Sequence, residues 1–171
     1  VPTMGALHPG HLSLIETSKQ KAKVTVCRIF VNPTQFNSPA DFSKYPVTIE
    51  KDIELLAAAG TTALFLPDVP EIYPNGRPES KKYELGYLET VLDGSSRPGH
   101  FQGVCTVVER LLEIVAPDHL MLGQKDYQQC LVITRLLALM GNAGNGIQIH
   151  ICPTLREENG LAMSSRNMRL N

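Results

Sequence analysis

The chain has 171 residues, with 16 Lys and Arg against 17 Asp and Glu and a formal net charge of -1. That length suits one globular domain with a sizeable core. Hydrophobic residues make up 43% and charged residues 19%, which is too apolar for a disordered chain, and the even charge leaves no cationic surplus for nonspecific binding to nucleic acid or an anionic membrane. No apolar run approaches the ~18 residues of a membrane helix. Thirteen glycines and twelve prolines signal many loops, which fits a loop-rich α/β enzyme better than a helical bundle. Cys27, Cys105, Cys130 and Cys152 are widely spaced, form no C-x-x-C pair and sit in apolar stretches. They read as buried free thiols of a reducing cytoplasm, not as a zinc or redox centre.

In chain order, Val1-Pro2-Thr3-Met4-Gly5 reads as the stub of a first strand, with no initiator Met and no signal-peptide pattern. The chain stops at Ser165–Asn171 without a closing element, so both ends read as cuts in something longer. A helix carrying Leu12 and Ile15 follows, and then Val24–Val31, a β-branched run of buried-strand character. Thr48 is placed to cap a helix through Ile53, Leu56 and Ala57, with Glu50 and Asp52 in its first turn and Gly60 at its end. Ala63–Leu66 is a second full strand. The stretch from Pro67 to Pro98 reads as an excursion, with Lys82–Leu85 as a short strand within it. Val104, Val107, Val108, Leu111, Leu112 and Val115 form one apolar helical stripe that stops before Pro117. His119–Leu122 is a strand, Leu131–Met140 a helix closed by Gly141, and Ile147–Ile151 the last strand. Alternation of this kind predicts β-α-β units, a parallel sheet and ligands gathered at the carboxyl ends of the strands.

Four successive strand ends carry polar chemistry. Thr3–His11 places two glycines and an H-x-G-H pattern, His8 and His11, at a helix start, where backbone N–H groups favour phosphate and imidazole donors can steady developing charge. A glycine turn with two exposed histidines is the plain alternative. Asn32–Asn37 offers Gln35 and a rigid Pro, suited to hydroxyls and a carboxylate, or else an ordinary Asn-Pro turn. Gly123–Gln129 sets Lys125 toward a phosphate, with Gln129 one helical turn further on the same face; a solvated Lys-Asp pair is the alternative. Pro153–Arg156 and Gly160–Asn167 bring two hydroxyls and a guanidinium, read either as a second phosphate cradle or as a capped helix start with an exposed Arg.

Together, Pro2–His11, Phe30–Phe36, Ile72-Tyr73-Pro74, Ser96–Phe101 with Gly103-Val104, Gly123–Gln129 and Gly160–Asn167 make the chain similar to the pantothenate synthetase (pantoate–β-alanine ligase) family of the H-x-G-H nucleotidyltransferase superfamily. H-x-G-H alone marks only the superfamily. The resemblance implies a Rossmann-like, doubly wound parallel α/β sheet. Residues 1–171 would be its nucleotide- and pantoate-binding domain, truncated at the N-terminus and lacking a C-terminal lid domain. It implies ATP-dependent condensation of (R)-pantoate with β-alanine through pantoyl adenylate, releasing pyrophosphate and AMP, with Mg²⁺, in a cytoplasmic homodimer. By the same resemblance Met4, Gly5, Ala6, Leu7, His8, Pro9, Gly10 and His11 line the ATP site, and His11 holds the position usually assigned as proton donor. Gly123, Gln124, Lys125 and Asp126 grip the nucleotide, Leu155 contacts adenine through its backbone, and Met163, Ser164, Ser165 and Arg166 form a mobile phosphate clamp. Gln35 and Gln129 hold pantoate, Gln35 also sits near β-alanine, and Asp52 is an indirect Mg²⁺ partner. His8, His11, Lys125, Ser164, Ser165 and Arg166 carry the catalysis.

Three positions depart from the family pattern: Gln124 where Glu is usual, Thr34 where Met is common, and Val47 where Arg is usual. Rival readings are a nucleotidylyltransferase that keeps a nucleotide-linked product, which leaves Gln35 and Gln129 unexplained, and a noncatalytic nucleotide-binding or dimerisation module. A tRNA-charging enzyme shares H-x-G-H, but the chain lacks a basic stripe for tRNA.

Overall fold

The computed structural model describes residues 1–32, 43–76 and 81–169, with residues 168 and 169 as backbone alone. Strand β1 (Pro2–Thr3) pairs in parallel with β2 (Val26–Ile29), which pairs in parallel with β3 (Ala63–Phe65). Strands β4 (His119–Gly123) and β5 (Gln148–Cys152) form a second parallel ladder, from His119 opposite Gln148 to Gly123 opposite Cys152. The helices are α1 (Pro9–Lys21), α2 (Ile49–Ala58), α3 (Val69–Ile72), α4 (Leu92–Ser96), α5 (His100–Val115) and α6 (Tyr127–Leu139).

Alternation along the strands feeds two apolar layers. Cys27 and Ile29 of β2 pack with Ile15 of α1 and Leu56 of α2. Phe30, and Leu120 and Leu122 of β4, pack on the other side with the stripe of α5 and with Val132, Ile133 and Leu136 of α6. Met121 turns back to Leu14 of α1. Helices therefore cover both faces of the parallel strands, which is the doubly wound arrangement expected. All four cysteines are free and buried, and burial pushes the Cys105 thiol up to about 12. Among the described residues no helix is long and apolar enough to cross a membrane.

Several boundaries differ from the expectation for identifiable reasons. Strand β2 starts at Val26, because pairing toward β3 begins where the Thr25 carbonyl accepts the Thr62 and Ala63 amides; Val24 stays 59% exposed. Helix α6 begins at Tyr127, not Leu131. In α2 the buried stripe runs through Asp52 and Leu56, while Ile53 faces solvent. The stretch between Pro67 and Pro98 is no excursion, since Ile72, Tyr73, Tyr83, Leu85 and Leu88 belong to the main core. Lys82–Leu85 is not a strand: the Gln102 side-chain amide donates to the Tyr83 carbonyl and accepts the Tyr83 amide, both at 2.9 Å. One side chain thus replaces a neighbouring strand.

Gln128 of α6 does the same for residues 88–93. Its Nε2 donates to the carbonyls of Leu88 and Val91 and its Oε1 accepts the Asp93 amide, all at 2.9 Å. Replacing it with an isosteric apolar group orphans buried backbone groups. Gln128→Leu is expected to lower unfolding free energy by about 2–4 kcal/mol, measured by urea denaturation; an unchanged midpoint would contradict this role.

Candidate active site

The loop that follows β1 is shaped by close contact. Gly5 takes φ +83°, and a Cβ there would lie 3.0 Å from Asp52 Oδ2 and 3.1 Å from Ile29 Cγ2. Ala6 follows with φ +48°. This tight turn aims two successive amides at Asp52: Ala6 N–H donates to Oδ2 at 2.9 Å and Leu7 N–H to Oδ1 at 2.8 Å. Thr48 Oγ1 donates to the same Oδ1 at 3.1 Å. Thr48 therefore does not cap α2 through its side chain, because its hydroxyl is spent on Asp52. Asp52 is fully buried with both oxygens engaged, so it secures the loop and is not exposed as a metal partner. The carbonyl side of the turn is held from elsewhere: Ser165 Oγ donates to the Ala6 carbonyl at 2.9 Å, with the Gly5 carbonyl at 3.4 Å.

The turn delivers His8 to the N-cap of α1, so His8 is not a first-turn residue. Its Nδ1 accepts the Gly10 amide at 3.1 Å, and His11 Nδ1 accepts the His8 amide at 3.3 Å. The ring centres stand 4.0 Å apart. With both Nδ1 atoms accepting, each ring carries its proton on Nε2. Burial, His8 and Lys125 hold His11 down to about 3, and burial with Lys125 lowers His8. At neutral pH both are neutral N–H donors.

A cleft of about 230 Å³ opens over this pair. Met4, His8, Gly10 and His11 wall it from the first loop, Gly123, Lys125, Asp126 and Gln129 from the end of β4, and Leu155, Met163, Ser164, Ser165 and Arg166 from beyond β5. The last segment folds back on itself: Arg156 bridges to Ala162, and the Met163 amide donates to the Leu155 carbonyl at 3.0 Å. Ser164 Oγ accepts the Arg166 amide at 3.2 Å, and the Arg166 guanidinium stands 5.7 Å from the centre of the Tyr45 ring. Gly5, Ala6, Leu7, Pro9 and Gln124 are not among the cleft-lining residues. Gly5, Ala6 and Leu7 are buried and shape the loop, while Pro9 and Gln124 face solvent. Val47 is also exposed, at 69%. Gln35 and Thr34 lie outside the described residues.

Sequence reasoning missed Arg28 and Tyr45, and it took Val104, Val107 and Val108 only as packing; all five line the cleft. It also read Asp52 as a first-turn charge. The available signal was its place four residues before Leu56, on the apolar stripe of α2. Asp126 is the sole acidic side chain among the described lining residues, against Arg28, Lys125 and Arg166, so the cleft suits anions. No group of three or more His, Cys, Asp or Glu side chains able to hold a metal occurs among the described residues. Cys130 lines the cleft, but burial raises its pKa and keeps it a thiol. The arrangement is that of a cleft able to position anionic groups and neutralise their charge.

Asp52→Asn puts an amide N–H₂ where a backbone N–H must be accepted, and is expected to lower unfolding free energy by about 2–3 kcal/mol, read from urea denaturation; wild-type stability would show that the two amide bonds do not matter. The depressed His11 pKa means the folded state favours the neutral ring, so its contribution is complete above about pH 6.5 and is lost as pH falls toward about 3. Between pH 7.5 and pH 5 the wild type should lose about 1–2 kcal/mol more than His11→Gln, whose Oε1 can still accept the His8 amide. Parallel pH curves would contradict the buried, neutral His11.

Known proteins resemble the chain over its whole length. The pantoate-beta-alanine ligase family model matches residues 1–171. A pantothenate synthetase of Cytophaga hutchinsonii is 52% identical over 171 residues, covering 100% of this chain and 59% of the relative. One from Moorella thermoacetica is 51% identical over 170 residues, covering 99% of this chain and 58% of the relative. The crystal structure of pantothenate synthetase from Thermus thermophilus superposes with a TM-score of 0.92 at 45% identity, over 99% of this chain and 60% of that one. The pantoate-beta-alanine ligase of Francisella tularensis, crystallised with beta-gamma ATP and beta-alanine, gives 0.90 at 46% identity over 99% and 64%. The chain spans about three-fifths of the length of the curated relatives it matches. Identity at this level along the entire chain, on a shared fold, places it in the pantoate–β-alanine ligase family.

Proposed function

We propose that the cleft serves ATP-dependent condensation of (R)-pantoate with β-alanine. The observation that carries this reading is the His8 and His11 pair, each ring accepting a backbone amide at Nδ1, in the lining of the same cleft as Lys125 and Gln129. In the first step a pantoate carboxylate oxygen forms a bond to the α-phosphorus of ATP, and the bond from that phosphorus to the bridging oxygen breaks. Pyrophosphate leaves with the electron pair. The charge that grows on the phosphoryl oxygens meets fixed donors, His8, His11, Lys125 and Arg166, without a proton having to move first. His11 acts here as a hydrogen-bond donor, which refines its expected role as proton donor. In the second step the β-alanine amine forms a bond to the acyl carbon, loses a proton, and AMP departs with the former carboxylate oxygen.

Gln129, partly buried in the wall of the cleft, supplies a neutral donor and acceptor for pantoate's hydroxyl groups, with Gln35 as its partner. Ser164, Ser165 and Arg166 close on the phosphates. Ser165 ties that clamp to the first loop through the Ala6 carbonyl, so its hydroxyl positions the loop and the clamp together. Mg²⁺ suits a cleft whose described lining has one exposed carboxylate, Asp126, and no three-residue ligand group, since this cation is commonly held by phosphates and water with one or two carboxylates; when bound it would neutralise polyphosphate charge. Residues 1–171 act as the nucleotide- and pantoate-binding domain, and the remaining length seen in relatives supplies a lid that keeps water from the adenylate. The protein works as a homodimer in the cytoplasm, as the sequence resemblance implies; the four free, buried cysteines suit a reducing compartment.

The test is an assay of AMP release by the full-length protein with ATP, pantoate and β-alanine. AMP should form only when all three are present, and a dinucleotide-type product would favour the nucleotidylyltransferase alternative. His11→Ala should lower kcat by about 100-fold or more, while Gln129→Ala should raise the pantoate KM about 10-fold with little change in stability. Wild-type turnover in His11→Ala would sink the proposed role of the histidine pair.

A further inference from the structure

Arg28 is a buried cation with no acidic partner among the described residues. It lies on β2 between Cys27 and Ile29, which enter the layer beneath α1 and α2. Strand alternation therefore turns Arg28 the other way, toward α5. It is 7% exposed. Its Nη1 donates to the Thr3 carbonyl at 2.7 Å, and its guanidinium carbon stands 5.3 Å from the centre of the Phe30 ring. Its Nε is buried with no hydrogen-bond partner, and no carboxylate pairs with it among the described residues. Burial pulls its pKa down to about 10, which still leaves it charged at neutral pH.

A charge buried without a counterion is costly, and a buried polar atom without a partner calls for an explanation. The setting supplies one. Arg28 is among the residues that line the cleft, as are Val104, Val107 and Val108 of α5, and it also borders a second cavity with Leu111 and Leu112. A cation with no paired carboxylate among the described residues, in the same cleft wall as branched aliphatic side chains, complements a short acid with a branched aliphatic body.

We propose that Arg28 is a binding residue for the acid substrate, the cleft-facing part of its guanidinium donating to one oxygen of the pantoate carboxylate while the aliphatic body rests on the α5 valines. This rests on the ligase reading above. A single donor leaves the second carboxylate oxygen free to form the bond to the α-phosphorus. Adenylation then removes the negative charge and loosens the grip of Arg28, so its contribution falls on binding the acid more than on the chemical step.

The experiment compares wild type, Arg28→Met and Arg28→Lys in the full-length protein, by steady-state kinetics, calorimetric pantoate binding and thermal melting. Arg28→Met should raise the pantoate KM and Kd at least tenfold, keep the KM values for ATP and β-alanine within twofold, and keep kcat within threefold. Its Tm should be unchanged or higher, because an uncompensated buried charge is gone. Arg28→Lys, which keeps the charge without the fork, should fall between the two in pantoate affinity. A lower Tm with unchanged pantoate affinity would make Arg28 a structural residue and overturn the proposal. Should Arg28→Met fail to fold, wild-type pantoate affinity in a folded Arg28→Lys protein would overturn it as well. The failures separate cleanly: a wild type without pantoate-dependent AMP release removes the ligase reading and this proposal with it, whereas an active wild type whose variants keep their pantoate KM removes the proposal alone.

Discussion

Asp52 accepts the amides of Ala6 and Leu7 from inside the fold, and this pair of bonds sets the position of everything along the first wall of the cleft. The turn it holds runs through two successive residues of positive φ, Gly5 and Ala6, a conformation that persists only where the surroundings over-determine it. The carboxylate reads the amides, Ser165 reads the carbonyl of Ala6, and the close approach of Ile29 leaves no room for a side chain at position 5. From that fixed turn His8 reaches the N-cap of α1, and His11 accepts the amide of His8. The two imidazoles owe their placement to a carboxylate more than 40 residues away in the chain, and their neutrality to burial and to the nearness of Lys125.

The same constraint explains how the cleft handles charge. A cationic wall that carried its own acids would be neutralised before any substrate arrived. Here the described lining holds three cations and one carboxylate, and two further donors are kept uncharged by burial and by the nearness of Lys125. Neutral imidazole donors stabilise a phosphoryl group as charge grows on it without gripping the pyrophosphate product as a full cation would. The parallel strands supply the geometry, since the ends of β1, β4 and β5 converge on this cleft, where the loops of doubly wound sheets place their ligands.

Much of this was legible in the residues. The alternation of strand and helix, the α5 stripe ending before Pro117, and the polar loops after successive strands came from periodicity and turn chemistry alone. Neighbour-dependent features did not. Gln102 and Gln128 look like ordinary polar helix residues, yet each replaces a missing backbone partner, so Lys82–Leu85 carries a strand pattern without being a strand. Gln128 and Gln129 are adjacent and chemically identical; only the rotation of α6 sends one into the core and the other to the cleft. Arg28 was overlooked, and Asp52 was read as a first-turn charge and Mg²⁺ partner instead of a buried anchor, because charged residues are ordinarily read as solvated. Both are buried, and both lie beside the residues that the motifs single out.

Pantoate-dependent exchange of labelled pyrophosphate into ATP, measured without β-alanine, tests the central claim most directly, because it reports the first bond-forming step alone. Exchange that requires pantoate and ATP, proceeds without β-alanine and falls sharply in His11→Ala is expected of a cleft that forms an acyl adenylate with neutral histidine donors. Absence of exchange until β-alanine is added, in a protein that makes pantothenate, would contradict a free-standing adenylate and the role assigned to the histidine pair.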